Sequence, residues 1–220
     1  MKKADLSNIV IENILLNVFK ENNAVLKSSP KSREKVIDVQ VSDDVFYQII
    51  FYLSGRNRPF SFFERIILVH KNISKVIQDI LHNTDGDYGW ICNTSTHVCN
   101  YWPRYWPTDP SAKVGCIEDI ERFVFSYNEA FIATKKDFID NYTDINNLIH
   151  DCSQSYDNWP KNMMAHDVGF ALIGFGILNN DNSYIFKGRE LLKEKKKQLT
   201  GLSEIDHNAI DFMIAYTSKF

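Results

Sequence analysis

Trp159–Leu178, with the sequence WPKNMMAHDVGFALIGFGIL, is the most apolar stretch of the chain. Pro160 suits a first helical position, where its missing N–H costs nothing, and the polar run 179–182 suits the end of a helix. Apolar side chains recur on all sides of this helix, so no face is left for solvent. A membrane span is not expected, because the uncharged run after Asp167 is shorter than the roughly 20 residues that a bilayer requires. The pattern predicts a buried central helix around which other helices pack.

Three glycines, Gly169, Gly174 and Gly176, interrupt this central helix. Each costs about 1 kcal/mol of helix propensity relative to Ala, and close approach of neighbouring helices across the glycines would offset that cost. We therefore expect tight helix packing at these positions. A small-molecule pocket floored by the glycines is the alternative.

The composition indicates a folded chain with segregated charge. Its 220 residues, 44% of them hydrophobic, are enough for a sizeable core. The net charge of −3 conceals an acidic segment, since residues 85–160 contain 12 Asp and Glu against 5 Lys and Arg. An acidic surface repels nucleic acid and attracts basic proteins. The charge pattern therefore favours a protein partner over a nucleic acid.

The amino terminus lacks the continuous apolar core of a signal peptide, because Glu12, Asn13 and Asn17 interrupt its apolar residues. We therefore expect a cytoplasmic protein with reduced cysteines and no membrane partner. The four cysteines are Cys92, Cys99, Cys116 and Cys152. If the protein were exported, the first two would form the expected disulfide.

Apolar residues recur at helical spacing along most of the chain and predict seven or eight helices. The predicted helices lie near residues 5–22, 42–53, 61–81 and 117–134, in a broken segment that ends near 153, at 159–178, from 183 to 200, and from 203 onward. Short connections between the last three predict antiparallel neighbours. The predicted fold class is all-α, with a single helical domain over 1–220 arranged around the glycine-containing helix.

Two local patterns refine this prediction. Ser61 and Glu64 have the spacing of a capping box, in which each side chain accepts a hydrogen bond from a free N–H of the first turn. A helix is therefore predicted to begin there and to run to about Leu81. Residues 27–41 are predicted to be a linker, and within it 36–41 could form a short strand. We expect an extended connection instead, because no partner strand is apparent.

Helical periodicity disappears between residues 83 and 115, where glycines and prolines punctuate a long loop. Loops of that length are uncommon without a function. This loop contains aromatic and arginine side chains, the types that dominate binding hot spots, beside two prolines. The predicted partner-binding residues of the loop are Tyr101, Trp102, Arg104, Tyr105 and Trp106. The alternative is that both tryptophans cover the core as a lid.

Arg65 and His70 are separated by four residues, Ile-Ile-Leu-Val. This Arg-x4-His spacing resembles the catalytic motif of the HEPN ribonucleases, an all-helical family in which such an Arg and His act on the RNA backbone. The resemblance covers six residues and departs from the family at Ile66, where a polar residue is usual. It implies an alternative function, a helical ribonuclease that uses Arg65 and His70.

Other candidate sites have simpler explanations. Cys92, His97 and Cys99 do not form the two close pairs of a structural zinc site, so no metal is expected. The basic run 193–197 has no interleaved aromatic residues and is expected to be a solvated helix face. Phosphate-binding loops, zinc-protease motifs and nucleophile elbows are absent from the sequence, which argues against an enzyme and leaves no cofactor to expect.

A compact, motif-poor and acidic chain is similar in character to toxin-neutralising immunity proteins and antitoxins. We therefore expect a cytoplasmic protein-binding protein of that kind, whose partner is a basic toxin domain. Three carboxylates, Glu118, Asp119 and Glu121, begin a predicted helix in the acidic segment. Together with the aromatic loop, they are the predicted partner-binding residues.

Overall fold

The computed structural model describes residues 2–20, 22–29, 32, 34–55, 58–82, 84, 113–159, 163, 165–198 and 204–220. These residues form two compact units. The sheet unit contains the described residues up to 67 and from 113 to 141, and the helical unit contains the described residues from 68 to 84 and from 142 onward. The prediction of a single domain stays a prediction.

The sheet unit begins with helix α1 (Lys3–Asn17) and contains a five-stranded sheet. In chain order its strands are β1 (Ala24–Leu26), β2 (Glu34–Gln40), β3 (Val45–Ser54), β4 (Phe60–His70) and β5 (Lys113–Val114), and they lie side by side in that same order. Strands β2 and β3 pair antiparallel, with Ile37 opposite Ile49 and Val39 opposite Tyr47. Strands β4 and β5 also pair antiparallel.

Helix α3 (Glu118–Thr134) covers one face of the sheet with a row of aromatic rings. Three ring pairs join the helix to the strands: Phe123 with Phe62, Tyr127 with Phe51, and Phe131 with Tyr47, at centroid distances of 4.8, 5.4 and 6.2 Å. Helix α1 packs beside α3 and buries Leu6, Val10 and Ile14. The core of this unit therefore lies between the sheet and two helices.

The helical unit consists of α2 (Lys71–Leu81), α5 (Ile145–Ser153), α6 (Ala165–Asn179), α7 (Asn182–Gln198) and α8 (Glu204–Thr217). A π-helical turn (Lys135–Ile139) and the short α4 (Asp140–Tyr142) follow α3. Helix α6 packs against α2, α5 and α7, and most of its residues are buried. Helix α6 begins at Ala165, six residues later than its predicted start at Trp159. Trp159 itself directly follows a 3₁₀ turn at Tyr156–Asn158.

The three glycines of α6 are points of close packing, as predicted. A Cβ atom added at Gly169 would lie 2.7 Å from the Leu192 side chain, and one at Gly176 would lie 2.7 Å from Ile185, both on α7. A Cβ at Gly174 would lie 2.6 Å from Ile73 of α2. Side chains of neighbouring helices therefore fill the space that the alternative assigned to a small molecule.

The all-α prediction is wrong, because residues 45–54 are a strand and not a helix. Val45, Phe46, Ile49, Ile50 and Leu53 fit helical spacing, but nearly every residue in this run is apolar or aromatic, so the run fits a two-residue period equally well. Its buried residues alternate through Tyr47, Ile49 and Phe51. Residues 34–40 of the predicted linker form β2, which supplies the partner that the sequence did not reveal.

The capping-box prediction is also wrong. Ser61 and Glu64 both lie within β4, and the helix starts ten residues later, at Lys71. Glu64 is buried with 6% of its surface exposed, so its carboxyl belongs to the core and not to a helix terminus. Because β4 continues directly into α2, the apolar residues of a strand and of a helix form one run that resembles a single helix.

Candidate functional site

A groove of about 660 Å³ lies between α1 and α3 of the sheet unit. Its lining combines apolar, amide and acidic side chains: Ile9, Asn13, Asn17, Ile117, Glu118, Ile120, Glu121, Val124, Phe125 and Asn128. The described residues that line it include two carboxylates and no Lys or Arg. A groove of this kind can accept an apolar surface that carries positive charge.

Large apolar side chains project into solvent at this groove. Phe125 is 65% exposed and Ile117 is 59% exposed, whereas Ile120 and Val124 are buried at 4% and 7%. An apolar floor that continues into an exposed apolar rim differs from a scattered surface residue, because contiguous apolar patches mark interaction sites. Neither rim residue was among the predicted partner-binding residues. The sequence did contain one sign of this surface: Phe125 lies outside the helical spacing of the apolar residues that face inward on α3, which are Ile120, Phe123, Val124, Tyr127 and Phe131.

The two helices that form the groove run in the same sense. At the carboxyl ends, Phe19, just beyond α1, packs edge to face against Phe131 near the end of α3, at 4.9 Å. At the amino ends, Lys3 of α1 lies over the ring of Phe60, which is paired with Val114 just before α3. The groove therefore has an acidic end near Glu118 and an amide end near Asn17.

The three predicted carboxylates have different environments. The side chain of Asp119 accepts hydrogen bonds from the backbone N–H groups of Gly115 and Cys116 at 2.8 and 3.2 Å, and it pairs with Arg122 at 2.9 Å. The Gly115 hydrogen bond is the main cause that holds the pKa of Asp119 below its ordinary value. Asp119 thus ties down the turn before α3 and does not line the groove.

Glu118 and Glu121 line the groove. A hydrogen bond from the Cys116 thiol lowers the pKa of Glu118, so this carboxylate is ionised at neutral pH. Glu121 is exposed and makes no ion pair among the described residues. Of the three, Glu121 is the carboxylate most available to a partner.

The aromatic loop prediction lies outside the described residues, and so do the candidate metal ligands Cys92, His97 and Cys99. The loop residues in question are Tyr101, Trp102, Arg104, Tyr105 and Trp106. Within the described part of the chain, no three His, Cys, Asp or Glu side chains come together as metal ligands.

Arg65 and His70, the pair that resembles the ribonuclease motif, lie on a strand, β4. The motif belongs to a helix, and side chains five residues apart on a strand point to opposite faces. The imidazole of His70 is buried, and its Nε2–H donates to the backbone carbonyl oxygen of Tyr142 at 2.8 Å. Burial lowers its pKa, so the ring is neutral at neutral pH. These contacts give His70 a structural role in the helical unit.

A buried acidic group in the sheet unit was also missed by sequence analysis. The Glu64 carboxyl faces the core, and its burial raises its pKa well above the ordinary value. Burial, together with the charge of Glu64, raises the pKa of the Tyr127 hydroxyl. Glu64 is therefore close to the aromatic row of α3. It contributes to the stability of the core and does not line the groove.

The basic run at the end of α7 is neutralised in part by its neighbours. Lys193 pairs with Glu190 at 2.8 Å, and Lys196 pairs with Asp211 of α8. Two of its lysines are therefore already engaged, as in an ordinary solvated helix face.

Comparison with protein-family models, with curated proteins and with solved structures finds no match. None of the helices in the described residues combines the length and the apolar character needed to cross a membrane.

Proposed function

We propose that this is a protein-binding protein that holds a basic partner in the groove between α1 and α3. The supporting observation is the combination of exposed Phe125 and Ile117 with the carboxylates Glu118 and Glu121 on one side of α3. Desolvation of a large apolar anchor supplies affinity, whereas carboxylates at the rim favour encounter with a positively charged surface.

The class of binding protein that we propose is a toxin-neutralising immunity protein or antitoxin. Its support is the acidic character of residues 85–160 and the absence of the common catalytic motifs from the sequence. Direct occlusion of a basic toxin needs an acidic, partly apolar surface and no chemistry of its own. We do not propose the ribonuclease, because no observation favours it over the structural role of His70.

The test is co-expression with the protein encoded immediately beside this one. That neighbour, expressed alone, should arrest growth, and this protein should restore growth. Phe125→Ser should abolish the rescue, whereas Ile205→Ser, which replaces a 44% exposed apolar residue of α8, should not. A neighbour that is harmless, or an arrest that this protein does not relieve, would overturn the immunity proposal.

The loop residues Tyr101, Trp102, Arg104, Tyr105 and Trp106 are proposed as a second contact. With a partner in hand, Trp102→Ala and Trp106→Ala should mainly raise the dissociation rate, each at a cost of about 2 kcal/mol or more. Unchanged rates in both folded variants would remove the loop from the interface. Loss of folding in either variant would instead support the alternative that the tryptophans cover the core.

A further inference from the structure

The two helices that wall the α1–α3 groove carry apolar side chains at helical spacing, one in the groove lining and one beyond it on each helix. On α3, Phe125 and Ile132 are seven residues apart and are 65% and 59% exposed. On α1, Ile9 lines the groove, and Leu16, seven residues further along, is 67% exposed. Residues seven apart on an α-helix point in directions that differ by only about 20°. Each wall therefore carries an apolar ridge of two side chains, and an asparagine that lines the groove, Asn13 or Asn128, lies on the turn between them.

Two ridges with this repeat match the surface of a third helix. Helices pack when the side chains of one fill the gaps between side chains of its neighbours at nearly the same repeat. An extended segment is a poor match, because its side chains alternate with a two-residue period. Its backbone N–H and C=O groups would also need partners, and the backbone groups inside a helical wall are already hydrogen-bonded to each other.

The acidic side chains of the groove indicate that such a helix carries positive charge beside its apolar face. Glu118 and Glu121 lie at the amino end of α3, and the described lining contains no Lys or Arg. The neighbouring Arg122 pairs with Asp119 and is held at the preceding turn. Carboxylates at the rim that form no ion pair with the described Lys and Arg side chains favour an occupant with Lys or Arg at the corresponding end.

We infer that the groove receives one amphipathic α-helix of the partner protein. The apolar face of this helix lies along the two ridges, and its Lys or Arg side chains meet Glu118 and Glu121. The proposed contacts run from Glu118 to Ile132 along α3, so the occupied length is about 21 Å, or four turns of the partner helix. This inference rests on the proposed function, because it names the element of the partner that is bound.

A library of random peptides of about 16 residues, long enough for four turns, tests the inference without a known partner. Peptides are selected on the full chain and counter-selected on Phe125→Ser. The enriched peptides should carry apolar residues at three- and four-residue intervals with Lys or Arg on one flank. A synthetic representative should bind the parent and Ile205→Ser equally, and should bind Phe125→Ser at least about tenfold more weakly.

Reversing one charge of the groove tests the electrostatic part of the inference separately from the apolar part. Glu121→Lys should weaken binding of the basic peptide and strengthen binding of a copy in which its Lys and Arg are replaced by Glu. The difference should shrink at high salt, because rim charges are screened. Circular dichroism of each variant should match the parent, since both substituted side chains are exposed. If Phe125→Ser were unfolded, Ile117→Ser would take its place.

Each result decides a separate question. Phe125-dependent peptides that contain proline, alternate with a two-residue period or carry acidic flanks would overturn the helix inference and leave the groove as a binding site. No enrichment, or enrichment that ignores Phe125, would overturn the inference by removing the groove as its site. The growth assay judges the proposed function independently, because it does not require a helical partner segment.

Discussion

The two units build their cores in opposite ways. In the helical unit backbones approach closely, and a Cβ atom added at Gly188 of α7 would lie 2.6 Å from the carbonyl oxygen of Gly169 on α6. In the sheet unit aromatic rings fill the space, and Phe131 contacts the rings of Phe19, Tyr47 and Tyr127. The comparison indicates that added atoms should destabilise the helical unit, whereas removed atoms should destabilise the sheet unit.

The largest effect is expected from Phe131→Ala. The side chain is 4% exposed and lies in three ring contacts, so its removal leaves a cavity lined by aromatic groups. A buried Phe→Ala substitution costs about 3–5 kcal/mol of the free energy of unfolding. Chemical denaturation and hydrogen exchange of peptides from β3 and α3 should both report the loss.

Phe125→Ala is the matched control on the same helix, because Phe125 is 65% exposed. Its free energy of unfolding should change by no more than about 0.5 kcal/mol. Equal losses for the two variants would contradict the assignment of Phe131 to the core and of Phe125 to the groove.

Gly188→Ala tests the other side of the comparison. The new methyl group would meet the carbonyl oxygen of Gly169 and, at 2.8 Å, the Ile173 side chain, and backbone atoms cannot move aside as a side chain end can. Overpacking of this kind costs about 1–3 kcal/mol, even though Ala favours helix formation. Peptides from α6 and α7 should exchange amide hydrogens faster.

Gly115→Ala provides the contrast, because the nearest atoms to its added Cβ lie 3.4 Å away, at ordinary contact distance. It should leave stability unchanged. If Gly188→Ala were as stable as the parent, the close approach of α6 and α7 would not be a constraint on this core.

The same physical difference explains how much of the fold could be predicted from sequence. Helices α3, α5, α7 and α8 mix apolar with charged residues, so their three- and four-residue spacing is visible, and all were predicted. Strand β3 is apolar or aromatic at nearly every position, which erases the distinction between the two periods. Its identity depends on pairing with β2 across a hairpin, from Gln40 opposite Phe46 to Glu34 opposite Tyr52, which the apolar spacing within β3 does not contain.

The candidate site was predictable in part. Charge alone pointed to Glu118 and Glu121, because acidic residues cluster in that segment. The apolar half of the groove was not predictable, because Ile9 and Phe125 come together only when α1 packs beside α3. For Glu64 the sequence led to a wrong prediction. Its spacing from Ser61 indicated a helix cap, and only the formation of the sheet places its side chain in the core.

A pH dependence is expected from Glu64, the buried acid of the sheet unit. Because burial raises its folded pKa above the ordinary value of 4.5, the folded state holds a proton that the unfolded state loses. The contribution of this group to stability is therefore complete below pH 4.5 and declines as pH rises toward the raised pKa. Glu64→Gln cannot ionise and should remove this decline.

Denaturation of the parent and of Glu64→Gln over a pH series measures the effect. Glu34→Gln, at the exposed start of β2, is the control and should retain the pH dependence of the parent. Parallel curves for the parent and Glu64→Gln would contradict this prediction, because they would show that the pKa of the Glu64 carboxyl is the same in the folded and unfolded states.

The smallest expected change in stability distinguishes the roles of two carboxylates on the first turns of α3. Asp119→Ala removes the hydrogen bonds to Gly115 and Cys116 and should cost about 1 kcal/mol of stability at neutral pH. Because the folded pKa of Asp119 is lowered, that cost should shrink as pH falls below its ordinary 3.8, where the unfolded state no longer ionises. Glu121→Ala should leave stability unchanged and lower only the affinity for a basic peptide. A loss of stability in Glu121→Ala, or a loss of affinity without loss of stability in Asp119→Ala, would reverse the two roles and move the binding surface from the groove to the turn before α3.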